Sequence, residues 1–136
     1  MCRNARGVQI LFWNFTSPIT KESDQKLFVR DLPSRAVGPG RISVAGVAPG
    51  NYQLTVYRVG YHVNDVYSDY LRLGSPSTLQ RQQLLELAQK NDGRPIETAR
   101  IRIIAGKDLT RDLALRENDV CLTTLESNYK MRVKGK

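Results

Sequence analysis

From Asn51 to Val59 the side chains alternate, with Tyr52, Leu54 and Val56 on one side and Gln53, Thr55 and Tyr57 on the other. A period of two puts successive residues on opposite faces of a β-strand, so this stretch predicts a strand that buries Tyr52, Leu54 and Val56. The dipeptide Pro49-Gly50 supplies a turn just before it. The same period recurs along the chain. Gly7 to Phe15 (GVQILFWNF) is apolar on both alternating sets, Val8, Ile10 and Phe12 against Leu11, Trp13 and Phe15. A strand of that kind needs cover on both faces, and Trp13 is expected in the core. Lys26 to Arg30, Arg41 to Ala45, Ile96 to Ile104, Leu109 to Leu115 and Asp119 to Leu125 complete the strand candidates, with Pro33 and Gly38-Pro39-Gly40 breaking the chain between the second and third.

One region follows a different period. In Asp65 to Leu73, Val66, Tyr70 and Leu73 fall at helical spacing, with Asn64 placed as an N-cap and Gly74 as the C′ residue. Ser77 with Gln80 has the form of a capping box, and Leu79, Leu84, Leu87 and Ala88 follow on a helical stripe that ends near Asn91-Asp92-Gly93. Six or seven strands around one helical insertion predict a mainly β fold. We expect an antiparallel β-sandwich with short helices inserted at about 65–73 and 78–90. Ile10, Phe12, Leu54, Val56, Ile101, Ile103, Val120 and Leu122 are its expected core. A chain of 136 residues suits one domain, read here as residues 7–126 followed by a basic tail over 127–136.

Several function classes lack the residues they need. No apolar run approaches the roughly 20 residues that span a bilayer, and the start MCRNARG has no signal-peptide form, so the default expectation is cytoplasmic. His62 is the single histidine, and no CxxC pair accompanies it, so no metal or other cofactor is expected. Cys2 and Cys121 could pair only if the chain ends meet, and Cys121 reads better as a small core residue. Gly38-Pro39-Gly40 has a proline where a phosphate loop needs a backbone N–H. The net charge of +8 permits nucleic-acid binding, yet the basic residues are scattered and only the tail is denser, so nucleic acid is not favoured.

Asp65 with Asp69, and Glu117 with Asp119, are the carboxylate pairs whose spacing puts them on one side of an element. Such pairs are more often solvated groups or caps than acid–base machinery. His62 lies among Tyr57, Tyr61, Tyr67 and Tyr70, a grouping that could hydrogen-bond a sugar or serve as a structural link in a loop. Ser75, Ser77 and Ser127 have no histidine partner at a recognisable spacing, so nucleophilic catalysis has no support.

Three stretches together carry a family resemblance: GVQILFWNFT (Gly7 to Thr16), YRVGYHVNDVYSDYLRLGSP (Tyr57 to Pro76) and LRENDVCLTTLE (Leu115 to Glu126). In order and spacing they resemble the C-terminal β-sandwich of glycoside hydrolase family 39, the family of β-xylosidases and α-L-iduronidase, over about residues 7–126. The bacterial pattern opens with a strand of the "vQvLlwNyt" kind, passes through a Tyr-Arg strand to a loop and an "MGSP" turn, and closes with "L.eNdV.l..L". Here Leu73 replaces the usual Met and Tyr70 stands where Trp is frequent.

The resemblance implies that the family's catalytic glutamates lie elsewhere, on a (β/α)₈ barrel N-terminal to the sandwich. Such a barrel needs about 250 residues, which this chain cannot hold. The implied role is a non-catalytic accessory domain that packs against a barrel in cis or as a separate chain, and Met1 directly before the matching strand suggests a fragment or a split reading frame. His62, Asn64, Tyr61, Tyr67 and Tyr70 are the candidates for a carbohydrate contact or the barrel interface. A free-standing carbohydrate-binding module is the alternative, and a basic nucleic-acid-binding protein the third. An apolar or tyrosine-rich patch is expected near Tyr57 to Tyr70, where self-association could cover it.

Overall fold

The structure is a computed structural model that describes residues 1–4, 7–16 and 33–127. Its strands are β1 (Cys2–Asn4), β2 (Gly7–Trp13), β3 (Ala36–Val44), β4 (Gly50–Val59), β5 (Glu97–Ile103), β6 (Leu109–Arg116) and β7 (Val120–Ser127). Two helices, α1 (Val66–Arg72) and α2 (Arg81–Lys90), lie between β4 and β5. All pairing is antiparallel, in one five-stranded sheet of order β1-β2-β7-β4-β5 and a second sheet of β3 and β6. The sandwich and both helices expected from the sequence are present. The expected strand Lys26 to Arg30 and the basic tail beyond Ser127 lie outside the described residues.

The apolar residues of the two sheets meet between them. Val8, Tyr52, Leu54, Ile103 and Leu125 from the large sheet and Val44 from the small one form the buried cluster, with Ile10, Ile42, Val47, Ile101 and Leu109 packed against it. Each fully buried aliphatic side chain contributes roughly 1.5–3 kcal/mol, so this layer dominates the fold's stability. Tyr52 buries its ring and satisfies its hydroxyl by donating to the Ala48 carbonyl at 2.8 Å. Two arginines cross the same layer. Arg111 of β6 pairs with Glu97 of β5, and Arg58 of β4 donates to the Ala114 carbonyl of β6 at 3.2 Å. Both side chains therefore tie one sheet to the other.

Several expectations need correction. The register Val8–Leu125–Leu54 and Phe12–Cys121–Arg58 turns Cys121, Thr123 and Leu125 inward, so Val120 and Leu122 belong to the outer face. Val120 is 42 % exposed and Leu122 half-buried there. Trp13 lies on that outer face too, 64 % exposed instead of in the core. The second helix begins at Arg81, with Gln80 rather than Ser77 at its cap and the reciprocal box formed with Gln83. Leu87 is buried, but Leu84 and Ala88 of the expected stripe are exposed. Ile10, Phe12 and Ile101 are half-buried. Cys121 is a buried free thiol, as expected of a small core residue, and Cys2 is exposed and also free.

Candidate functional site

The helical insertion leaves the sheet at the end of β4 and returns at the start of β5, and its candidate residues cluster where it leaves. Gly60 and Val63 exchange backbone hydrogen bonds of 3.0 and 2.9 Å around Tyr61 and His62, with His62 in the left-handed region at φ 57°. Gly60 is required at this crossing. A Cβ there would stand 1.9 Å from Oδ1 of Asp119. That carboxylate is 1 % exposed and accepts from the Arg116 amide at 2.8 Å, with Arg58 Nη1 3.8 Å away. The turn carrying Asp119 also fixes the end of β2, because the Asn14 amide donates to the Asp119 carbonyl at 3.1 Å and the Asn118 amide to the Asn14 carbonyl at 2.7 Å. Glu117, beside it, is held below the usual carboxylate range by hydrogen bonds from Arg35.

Asn64 is not the helix cap that its position suggests. It sits at φ 48°, and its amide donates to the carbonyls of Arg58 (2.8 Å) and Arg94 (2.9 Å), clipping together the two ends of the insertion. Asp65 takes the cap instead, accepting from the Tyr67 and Ser68 amides and from the Ser68 hydroxyl. Gly74 is the C′ residue, as expected, at φ 85°. Tyr70 donates its hydroxyl to the Pro76 carbonyl at 3.0 Å and stacks on Tyr67 at 6.0 Å. Tyr61 stacks on His62 at 3.9 Å, and the Arg116 guanidinium lies 5.6 Å from the Tyr61 ring centre.

Asp65 and Asp69 are both committed to holding the insertion together. The sequence reads Asp69 as a solvated group or a cap. Instead it accepts from Lys90 of α2 at 2.9 Å and pairs with Arg72 at 3.0 Å. The Lys90 hydrogen bond, with the Arg72 charge adding to it, holds its carboxyl below the usual range. A carboxyl in that state stays ionised and cannot serve as a general acid at neutral pH. Burial, reinforced by Asp119, pushes the Cys121 thiol up, which keeps it protonated. Among the described residues no group of three or more His, Cys, Asp or Glu is placed to hold a metal ion. No helix among them is long and apolar enough to cross a membrane.

An open groove of about 540 Å³ runs beside the insertion, lined by Asn64, Glu86, Gln89, Lys90, Asp92 and Arg94. Amides, carboxylates and cations of this kind can hydrogen-bond hydroxyl groups, but only Asn64 among the sequence candidates reaches the groove. His62 and Tyr67 are exposed, while Tyr61 and Tyr70 are half-buried in the packing just described. The arrangement thus separates into an outward-facing pair, His62 and Tyr67, and a set that builds the loop. Sequence reasoning expected an apolar patch near Tyr57 to Tyr70 but put Trp13, Val120 and Leu122 in the core, whereas they share an outward-facing apolar surface with Tyr57 and Val59. That surface is the outer face of β2, β7 and β4, whose signal was the double-sided apolar character of Gly7 to Phe15.

No family model matches the sequence and no curated protein is significantly similar to it. Solved structures are similar. A family 39 glycoside hydrolase from Xanthomonas axonopodis pv. citri superposes with a TM-score of 0.82 at 31% identity, over 92% of this chain and 25% of that one. A monomeric β-xylosidase from Caulobacter crescentus CB15 gives 0.81 at 33% identity, over 93% and 25%. Another family 39 β-xylosidase structure from Caulobacter crescentus gives 0.58 at 29% identity, over 91% and 21%. The chain thus spans about a quarter of the length of the enzymes it matches. The likeness to the β-sandwich of glycoside hydrolase family 39 that three stretches of sequence suggest holds in three dimensions, over nearly the whole of this chain.

Proposed function

We propose that this chain is the C-terminal accessory sandwich of a family 39, β-xylosidase-like glycosidase, non-catalytic by itself, which packs against a (β/α)₈ barrel in cis or on a separate chain. The observation that carries the reading is the asymmetry of coverage, with nearly all of this chain matching a quarter of each enzyme. The chemistry of the insertion supports it. Asp65 is occupied in capping a helix, and Asp69, held ionised between Lys90 and Arg72, is not available as the protonated acid that a glycosidase needs opposite a second carboxylate. The exposed His62 and Tyr67, with Asn64, Tyr61 and Tyr70 behind them, form the part that faces the barrel and borders its sugar cleft.

Purified chain incubated with nitrophenyl β-xyloside and the corresponding iduronide is expected to show no turnover. The Asp65→Asn, Asp69→Asn double variant serves as the control. Turnover that copurifies with the wild type and disappears in the double variant overturns the non-catalytic reading. The exposed Trp13 favours one other reading, a carbohydrate-binding module that stacks a sugar on its sheet face. Retention of the isolated chain on a glycan array, lost in Trp13→Ala, would replace the accessory role with that one.

A further inference from the structure

The outer face of the five-stranded sheet changes character along its strands. The register aligns Trp13 with Val120 and Val59 in one row, and Leu11 with Leu122 and Tyr57 in the next. Neighbouring strands lie about 4.8 Å apart, so these six side chains form one contiguous apolar block three strands wide. Trp13 is 64 %, Leu11 54 % and Val59 54 % exposed. Further along the same face the rows turn polar, first Gln9, Thr124, Thr55 and Thr98, then Glu126, Gln53 and Arg100. The apolar end is the end at which the helical insertion leaves the sheet.

An isolated exposed leucine requires no explanation, but a two-row block confined to one end of a sheet does. We infer that this block is the docking face for the remaining three quarters of a family 39 polypeptide, an apolar patch of its catalytic portion being the occupant. The inference rests on the accessory-domain reading above and adds to it which surface makes the contact. Two observations select this occupant over a second copy of the chain. The matched enzymes carry about three quarters of their length beyond the part that this chain matches. One of them is monomeric, so in that protein a second copy does not cover the corresponding face. A partner tethered in cis also needs only a modest interface, because the linker supplies the effective concentration.

The test places this chain in the full-length Caulobacter crescentus monomeric β-xylosidase in exchange for the matching quarter, and compares Trp13→Glu and Leu122→Glu with Arg100→Glu at the polar end. The isolated chain carrying each substitution is melted in parallel and weighed by light scattering. The expected result is an active chimera whose Tm falls in Trp13→Glu and Leu122→Glu by about 5 °C or more beyond any fall in the matching isolated variant, and stays put in Arg100→Glu. A stable, active chimera indifferent to all three substitutions overturns the docking face and leaves the accessory reading standing. A chimera that fails to fold although the isolated chain folds overturns the accessory reading, and the inference with it. A dimer of the isolated chain that Leu122→Glu dissociates, or retention on xylan that Trp13→Glu abolishes, also overturns the inference by naming a different occupant.

Discussion

Gly60 and Asp119 show how a single atom decides the geometry of the insertion. Just past β4 the chain must cross directly over a buried carboxylate, and only a residue without a Cβ leaves room for Oδ1. Asp119 in turn cannot withdraw, because it accepts from the Arg116 amide and lies close to Arg58 inside the sandwich. Gly60→Ala is therefore expected to destabilise the chain by about 1–3 kcal/mol, the range for forcing extra volume into a packed site. Urea unfolding of the variant measures it, and a loss below about 0.5 kcal/mol would mean that the crossing relaxes freely. Nothing in the hydropathy pattern identifies this contact. Asp119 looks like one member of an exposed Glu-Asp pair, and only the turn between β6 and β7 carries it inside.

Local chemistry specified the elements well where one residue type had one use. Pro49-Gly50 starts β4, Gly74 ends α1, and the alternation of Thr98, Arg100 and Arg102 with Ala99, Ile101 and Ile103 places β5 on the correct face. It failed where both faces of a strand carry apolar residues. In β7, Val120 and Leu122 are as apolar as Cys121 and Leu125, and the side is chosen by pairing with Val8 and Leu54, a contact between distant segments. Asn64 and Asp65 are adjacent and both are common caps, but only the Asn64 amide can donate to the Arg58 and Arg94 carbonyls, which leaves Asp65 to accept at the helix N-terminus. The helix pair then depends on Asp69 bridging to Lys90. Because the folded carboxyl titrates below its unfolded value near pH 4, its stabilisation is present above about pH 4 and is lost as pH falls through the lower, folded value. Lys90→Met at neutral pH, or acidification of the wild type towards pH 3, is expected to reduce hydrogen-exchange protection in α1 and α2 while β4 and β7 stay protected. Equal loss across helices and sheet would show that the insertion unfolds only with the whole domain.

At the scale of the molecule, the sandwich covers its inner face well, while its outer face is open around Trp13, Leu11 and Val59 and closed at Thr55 and Thr124. The inner layer holds the cluster around Leu54 and Leu125 and the two arginine cross-ties. The outer face ends in the block around Trp13, and the chain's single tryptophan makes that block directly observable. An indole 64 % exposed on a sheet face emits as a water-contacting fluorophore and is open to quenchers. The net charge of +8 concentrates iodide near the surface, so neutral acrylamide is the fairer quencher and the comparison of the two separates exposure from attraction. In the isolated chain, emission should be red-shifted, strongly quenched by acrylamide and unchanged by dilution. Emission that is blue-shifted and protected at high concentration, and moves to the red on dilution, would show that copies of the chain cover the block for one another. Blue-shifted emission at every concentration would mean that Trp13 is shielded within the monomer, and the open face described here would have to be abandoned.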